Sequence, residues 1–164
     1  MTKIAVGVLG FSLMAASGCM PQLKGTVDDV KALTPDQTLF LAEIEKEVLE
    51  FDLPKDQAND AWGRAQSWVA QYSPMKIQTA TDFVLQTYNP PMDGGYEITK
   101  IQVYYGYEVS RAPMGDKVKF RVVCNPSGYY YKKDVIQASA TRNAKMLAHH
   151  IRTGAAPRPE LISR

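Results

Sequence analysis

The side chains of this chain whose types and spacing could do chemistry are two cysteines, two neighbouring histidines, one aspartate pair and one group of basic residues with a tyrosine. Cys19 ends a short apolar run behind the small residues Ala16, Ser17 and Gly18, a setting for covalent modification of its thiol. His149 and His150 are adjacent, so on a helix their rings point about 100° apart and cannot hold one metal ion from one face. Asp28 and Asp29 have no further ligands near them and read as solvated carboxylates. Lys100, Tyr104, Lys117, Lys119 and Arg121 fall on alternate positions of strand-like segments and form the candidate partner surface. No Gly-rich phosphate loop, nucleophile elbow, His-Glu-x-x-His helix or Cys-x-x-Cys pair occurs. The expectation is therefore a protein that is not an enzyme, with no catalytic residues, no cofactor and no metal site.

The beginning of the chain has the anatomy of an export leader. Met1 to Lys3 is a short positive region, and Ile4 to Ala16 is an apolar run of thirteen residues. That run is well short of the roughly 20 residues that span a bilayer, which argues against a retained transmembrane helix. Ser17-Gly18-Cys19 resembles the lipobox of bacterial lipoproteins, in which a small residue precedes the cysteine that becomes the lipidated N-terminus. The resemblance implies residues 1–18 as a signal peptide and a diacylglyceryl thioether on Cys19, usually with a further acyl chain such as palmitate. Each buried methylene contributes on the order of 0.8 kcal/mol, so two or three chains would hold the protein on a membrane. In that family an Asp after the cysteine favours the inner membrane. Met20 stands there instead and implies the periplasmic face of the outer membrane in a Gram-negative cell. With Cys19 lipidated, Cys124 would be alone in an oxidising compartment, where a free thiol survives best when buried.

The 164 residues suit one domain plus a leader and a tether. The formal net charge of +2 rules out a global polyanion signal, but the halves differ. Residues 20–94 balance at −6, with six Lys or Arg against twelve Asp or Glu, and residues 95–164 at +7, with twelve against five. Complementarity between solvated faces accounts for most of such an asymmetry. The remainder points to a basic surface facing a partner.

The elements that must position these residues begin after a polar stretch, Pro21 to Leu33, which reads as a tether. Thr34-Pro35-Asp36-Gln37 has the chemistry of a helix start, with a short helix over 35–45. A strand is expected at 47–53. A long amphipathic helix follows from Pro54, with Ala58, Ala61, Trp62, Ala65, Trp68, Val69 and Tyr72 on one stripe and Ser73-Pro74 as its end. Two tryptophans on one face could stack a sugar or a base, but within so complete a stripe they read as packing on a sheet. Strands are expected from Met75 to Thr79 and from Asp82 to Tyr88, and Asn89 to Gly95 is a loop. Thr99, Ile101, Val103, Tyr105, Tyr107 and Val109 then point one way, as do Val118, Phe120, Val122 and Cys124 after a turn at 112–116. Asn125 to Gly128 turns the chain and Tyr129-Tyr130-Tyr131 is a short aromatic run. A second long helix opens near Asp134, buries Ile136, Ala140, Ala144, Leu147 and Ile151, and ends at Gly154.

The order strand, helix, four strands, helix predicts an α+β fold: an antiparallel sheet of about five strands with two amphipathic helices packed on one face. The expected organisation is a signal peptide over 1–18, a lipidated tether with a possible short helix over 19–45, the folded domain over 46–153 and a disordered tail over 154–164. Residues 46–153 vaguely resemble bacterial envelope domains with a TATA-binding-protein-like or helix-grip fold. Aromatic and basic residues on an open sheet suit single-stranded nucleic acid, but export leaves no nucleic acid to bind. The expected partners are the membrane, through lipid on Cys19, and another envelope protein or anionic envelope component. The alternative is a carrier of a small hydrophobic ligand in a helix-sheet cavity lined by Trp62, Trp68 and Tyr105.

Overall fold

A computed structural model describes residues 33–90, 103–127 and 133–163. Cys19 with its leader, the tether up to residue 32, the rest of the loop expected at 89–95, Lys100 and Tyr129 to Tyr131 lie outside the described residues. The described elements are α1 (Pro35–Ile44), β1 (Glu50–Pro54), α2 (Ala58–Tyr72), β2 (Ile77–Ala80), β3 (Val84–Thr87), β4 (Tyr105–Met114), β5 (Lys117–Pro126) and α3 (Lys133–Thr153). The fold is α+β, as the alternation and the two apolar stripes require. One fully antiparallel sheet has the order β1-β5-β4-β3-β2. No helix among the described residues is long and apolar enough to cross a membrane.

Strands β1 and β2 are consecutive in the chain but lie on opposite edges of the sheet. Four strand spacings separate them, about 19 Å. Helix α2, 15 residues long and so about 22 Å, makes that crossing over one face. Its stripe of Ala58, Ala61, Trp62, Ala65, Trp68 and Val69 is buried. Trp62 reaches Phe120 of β5, and Trp68 and Tyr107 of β4 form a T-shaped pair at 5.0 Å between centroids. Helix α3 returns from β5 and packs on that strand and on α2, burying Ala140, Ala144, Leu147 and Ile151. Alanines on both stripes let two helices share one sheet face at close range.

Helix α1 belongs to the domain rather than to a tether, which moves the expected boundary from residue 46 to Leu33. Its start has reciprocal capping: Gln37 N–H donates to Thr34 Oγ1 and Thr34 N–H donates to Gln37 Oε1. Ile44 is fully buried, and the rings of Phe40 and His149 of α3 meet nearly at right angles.

Two prolines fall inside strands rather than at breaks. Pro54, expected in the first turn of a helix, ends β1 opposite Lys117, and α2 starts at Ala58. Pro113, expected in a turn over 112–116, pairs with Val118, and the turn is only Gly115-Asp116, with Gly115 at φ 65°. An edge strand and a hairpin end accept proline because the missing N–H is not required by a neighbour there. A two-residue hairpin loop needs positive φ, which glycine supplies without strain.

The expected disordered tail is the largest correction. Residues 154–163 fold back on α1 and α3, with a 3-10 turn at Pro159–Leu161 and Ile162 buried. Asn143, wholly buried, donates to the Ser163 carbonyl at 2.9 Å and accepts from its N–H at 3.0 Å. Arg158 pairs with Asp36 and lies over the ring of Phe40. Two prolines and few apolar residues made this segment look unfoldable, but its partners are remote polar groups.

Candidate functional site

The helices cover one face of the sheet, and the other carries the basic residues. Along β5, Val118, Phe120, Val122 and Cys124 are buried while Lys117, Lys119 and Arg121 are exposed. The register places those cations opposite Met114, Ala112 and Ser110 of β4. On the other flank β1 sets Glu50 opposite Arg121 and Asp52 opposite Lys119. Glu50 and Arg121 form an ion pair at 3.4 Å with both side chains more than half exposed. An exposed pair of this kind contributes little to stability, at most about 1 kcal/mol, but it lowers the local charge. Three cations beside two carboxylates make this strip a mixed charged face rather than a plainly basic one.

Tyr104 does not join that strip. It is half-buried at the other end of β4, where its N–H donates to Ser127 Oγ at 2.8 Å and its carbonyl accepts from Ser127 N–H. Six residues separate it from Ser110, the partner of Arg121, which is about 20 Å of strand. The structure thus brings together Lys117, Lys119 and Arg121 and sets Tyr104 apart, and Lys100 lies outside the described residues. Alternating ring and cation on one continuous surface is not present among the described residues.

The tryptophans are occupied by the protein itself. Arg111 of β4 lies over the Trp62 ring at 4.8 Å and donates to Asn59 Oδ1 and the Asp82 carbonyl. Trp68 is enclosed by Tyr72 and Tyr107. Tyr105, Trp62 and Trp68 are each no more than 5% exposed and belong to the buried core cluster.

Cys124 sits across from Tyr107 on the buried face. Burial pushes its thiol up to about 12, only partly opposed by the Tyr107 hydroxyl. A thiol so placed has almost no thiolate at neutral pH and is a poor nucleophile.

One titratable cluster has no local signal in the sequence. Glu47, between α1 and β1, is buried, and Arg152 donates to both of its carboxylate oxygens. His149 Nδ1 lies 2.7 Å from the same carboxylate. An ionised carboxylate only accepts, so His149 donates from Nδ1. Burial pushes the Glu47 carboxyl up, but the bonds from Arg152 and His149 outweigh it and hold the group below its ordinary value. His150 turns to the Ala155 carbonyl instead. No group of three His, Cys, Asp or Glu side chains placed to hold a metal ion occurs among the described residues. The cluster couples α1 to α3 across about a hundred residues of chain, which only the tertiary fold reveals.

Comparison with known proteins adds no relative: no family model, no curated protein and no solved structure matches this chain.

Proposed function

We propose that this protein is a lipid-anchored periplasmic module that holds another cell-envelope component on the helix-free face of its sheet. The observation that carries this reading is the stretch ending at Cys19, only fourteen positions ahead of Leu33, where the compact unit begins. Lipid on Cys19 would place the domain at the outer membrane, facing the periplasm. No catalytic step is assigned to it.

The partner contact is the strip of Lys117, Lys119 and Arg121. These cations are exposed, while Glu50 and Asp52 beside them offset much of their charge. That balance suits an acidic envelope protein, whose placed carboxylates compete with Glu50 and Asp52 for the same cations, better than a uniformly anionic lipid surface. A carrier of a small hydrophobic ligand gains no support from a core in which Trp62, Trp68 and Tyr105 are packed by the protein's own groups.

Crosslinking in intact cells tests the assignment. The native chain yields a specific partner, and the triple variant Lys117→Glu, Lys119→Glu, Arg121→Glu loses it while remaining folded and membrane-bound. An unchanged crosslinking profile in that variant would reject this face as the contact.

A further inference from the structure

Of the five ion pairs among the described residues, four join one short stretch of chain to the part of the fold it rests on. Residues 36–47 supply the carboxylate every time, and α3 or the segment after it supplies the cation. Asp36 meets Arg158, Glu45 meets Lys145, and Glu47 meets both His149 and Arg152. Apolar footing at the same joint is thin. Ile44 is the one buried residue of α1, against six in α2 and eight in α3, and Phe40 is only partly buried.

The four pairs are not equal. Asp36 and Glu45 stand in solvent, where water screens a pair and leaves it little strength. Glu47 is buried and accepts from His149 and Arg152, which lie three residues apart on α3. Glu43 and Lys46 are the other charged groups at this point. With Glu47, Val48 and Arg152 they border a depression of about 290 Å³ that gives water a route to the joint. The bonds that hold the Glu47 carboxyl below its ordinary value exist only while α1 is docked. A proton therefore binds the open joint more readily than the closed one, and acid favours opening. An imidazole is a cation in acid, so a neutral Glu47 leaves His149 and Arg152 together without a buried counter-charge. A buried charge deprived of its partner is strongly destabilising. Glu43 is exposed and screened, so it does not replace the lost charge, and Lys46 adds a third cation.

We propose that the α1–α3 joint is a pH-sensitive switch, in which neutralising Glu47 frees residues 35–47 from α3 while the sheet, α2 and α3 stay folded. α1 leaves first because its hold is mostly ionic. The core that joins α2 and α3 to the sheet is built on Trp62, Trp68, Leu147 and Ile151, which acid does not alter. Elements with few buried apolar groups open locally before the core does. The freed face presents Phe40 and Ile44, together with the α3 surface around His149, so the open form offers an apolar patch that the closed form hides. This inference does not depend on where the chain is held.

Hydrogen exchange on the full chain, corrected for the intrinsic rate at each pH, reads the switch. As pH falls from 7 to 3, the amides of residues 38–47 are expected to lose about tenfold in protection before those of β4 and β5 change. Glu47→Gln fixes the neutral state and should show the same loss at pH 7. Asp36→Asn removes an exposed pair and should leave α1 protected at pH 7. Native protection of α1 in Glu47→Gln would overturn the proposal. So would an equal loss in Asp36→Asn, which would place the hold in the exposed pairs. If Glu47→Gln does not fold, the wild-type pH series decides. Opening of α1 ahead of the strands supports the switch, and loss of protection in one concerted step contradicts it.

Discussion

Nδ1 of His149 lies 2.7 Å from Oε1 of Glu47, and both side chains are within a few per cent of complete burial. Arg152 reaches the same carboxylate from one turn further along α3. The carboxylate thus receives charge-assisted bonds from two residues of one helix and ties the α1–β1 junction to α3. Removing one partner of a buried pair leaves the rest uncompensated, so Glu47→Ala should cost about 3 kcal/mol in urea unfolding.

The same pair sets a pH dependence. The Glu47 carboxyl is held below its ordinary 4.5. A carboxylate with a depressed folded value contributes stability that is fully present above the unfolded value and is lost as pH falls through the folded one. The stability gap between wild type and Glu47→Gln should therefore be widest near neutral pH and shrink below about pH 4.5. Denaturant titrations at pH 7 and pH 3 measure it, and a gap that grows on acidification contradicts this account.

Gly106 makes room for the chain that leaves β3. A methyl group there would stand 2.9 Å from Pro90 Cδ, 3.1 Å from the Tyr88 carbonyl oxygen and 3.2 Å from Thr87 Oγ1. A proline ring and a backbone carbonyl cannot swing aside as a flexible side chain would. Gly106→Ala should destabilise the protein by about 1–3 kcal/mol, read as a lowered urea midpoint.

Asn143 decides whether the C-terminal segment stays docked. Asn143→Ala removes a donor and an acceptor from the Ser163 main chain, at about 1–2 kcal/mol. Hydrogen exchange should then rise over residues 155–163, while amides in the middle of α3 keep their protection. Uniform loss of protection across the helix would instead assign Asn143 to the global core.

Cys124 should be inert in the folded protein. With its thiol at about 12, alkylation at pH 8 should leave the Cys124 peptide unmodified until denaturant is added. Rapid modification in the native state would contradict the buried placement.

Much of the sheet was legible in the sequence because alternation is a local property. Val118, Phe120, Val122 and Cys124 announce an inward face by spacing alone, and the alanine and tryptophan stripe of α2 does the same at helical spacing. What was hidden depends on pairing between distant segments. The position of β1 beside β5 brings Glu50 and Asp52 to the basic strip, and no spacing within either strand reveals it. Pro54 and Pro113 read as breaks in the sequence because their tolerance depends on being at an edge or a hairpin end, a property of the sheet and not of the residue. Residues 154–163 looked disordered because they carry their own reasons not to fold, while the reasons they do fold, Asn143 and Asp36, lie elsewhere in the chain. Of the candidate surface, the outward direction of Lys117, Lys119 and Arg121 could be read, and the remoteness of Tyr104 could not.

The proposed lipid anchor at Cys19 carries the functional reading, and the mass of the mature N-terminus tests it most directly. The chain isolated from its own cell membranes should lack residues 1–18 and begin with a Cys19 that carries diacylglyceryl and acyl chains. Cys19→Ala should leave the membrane fraction. A mature chain with an unmodified Cys19, or a Cys19→Ala variant still held on the membrane, would contradict the account.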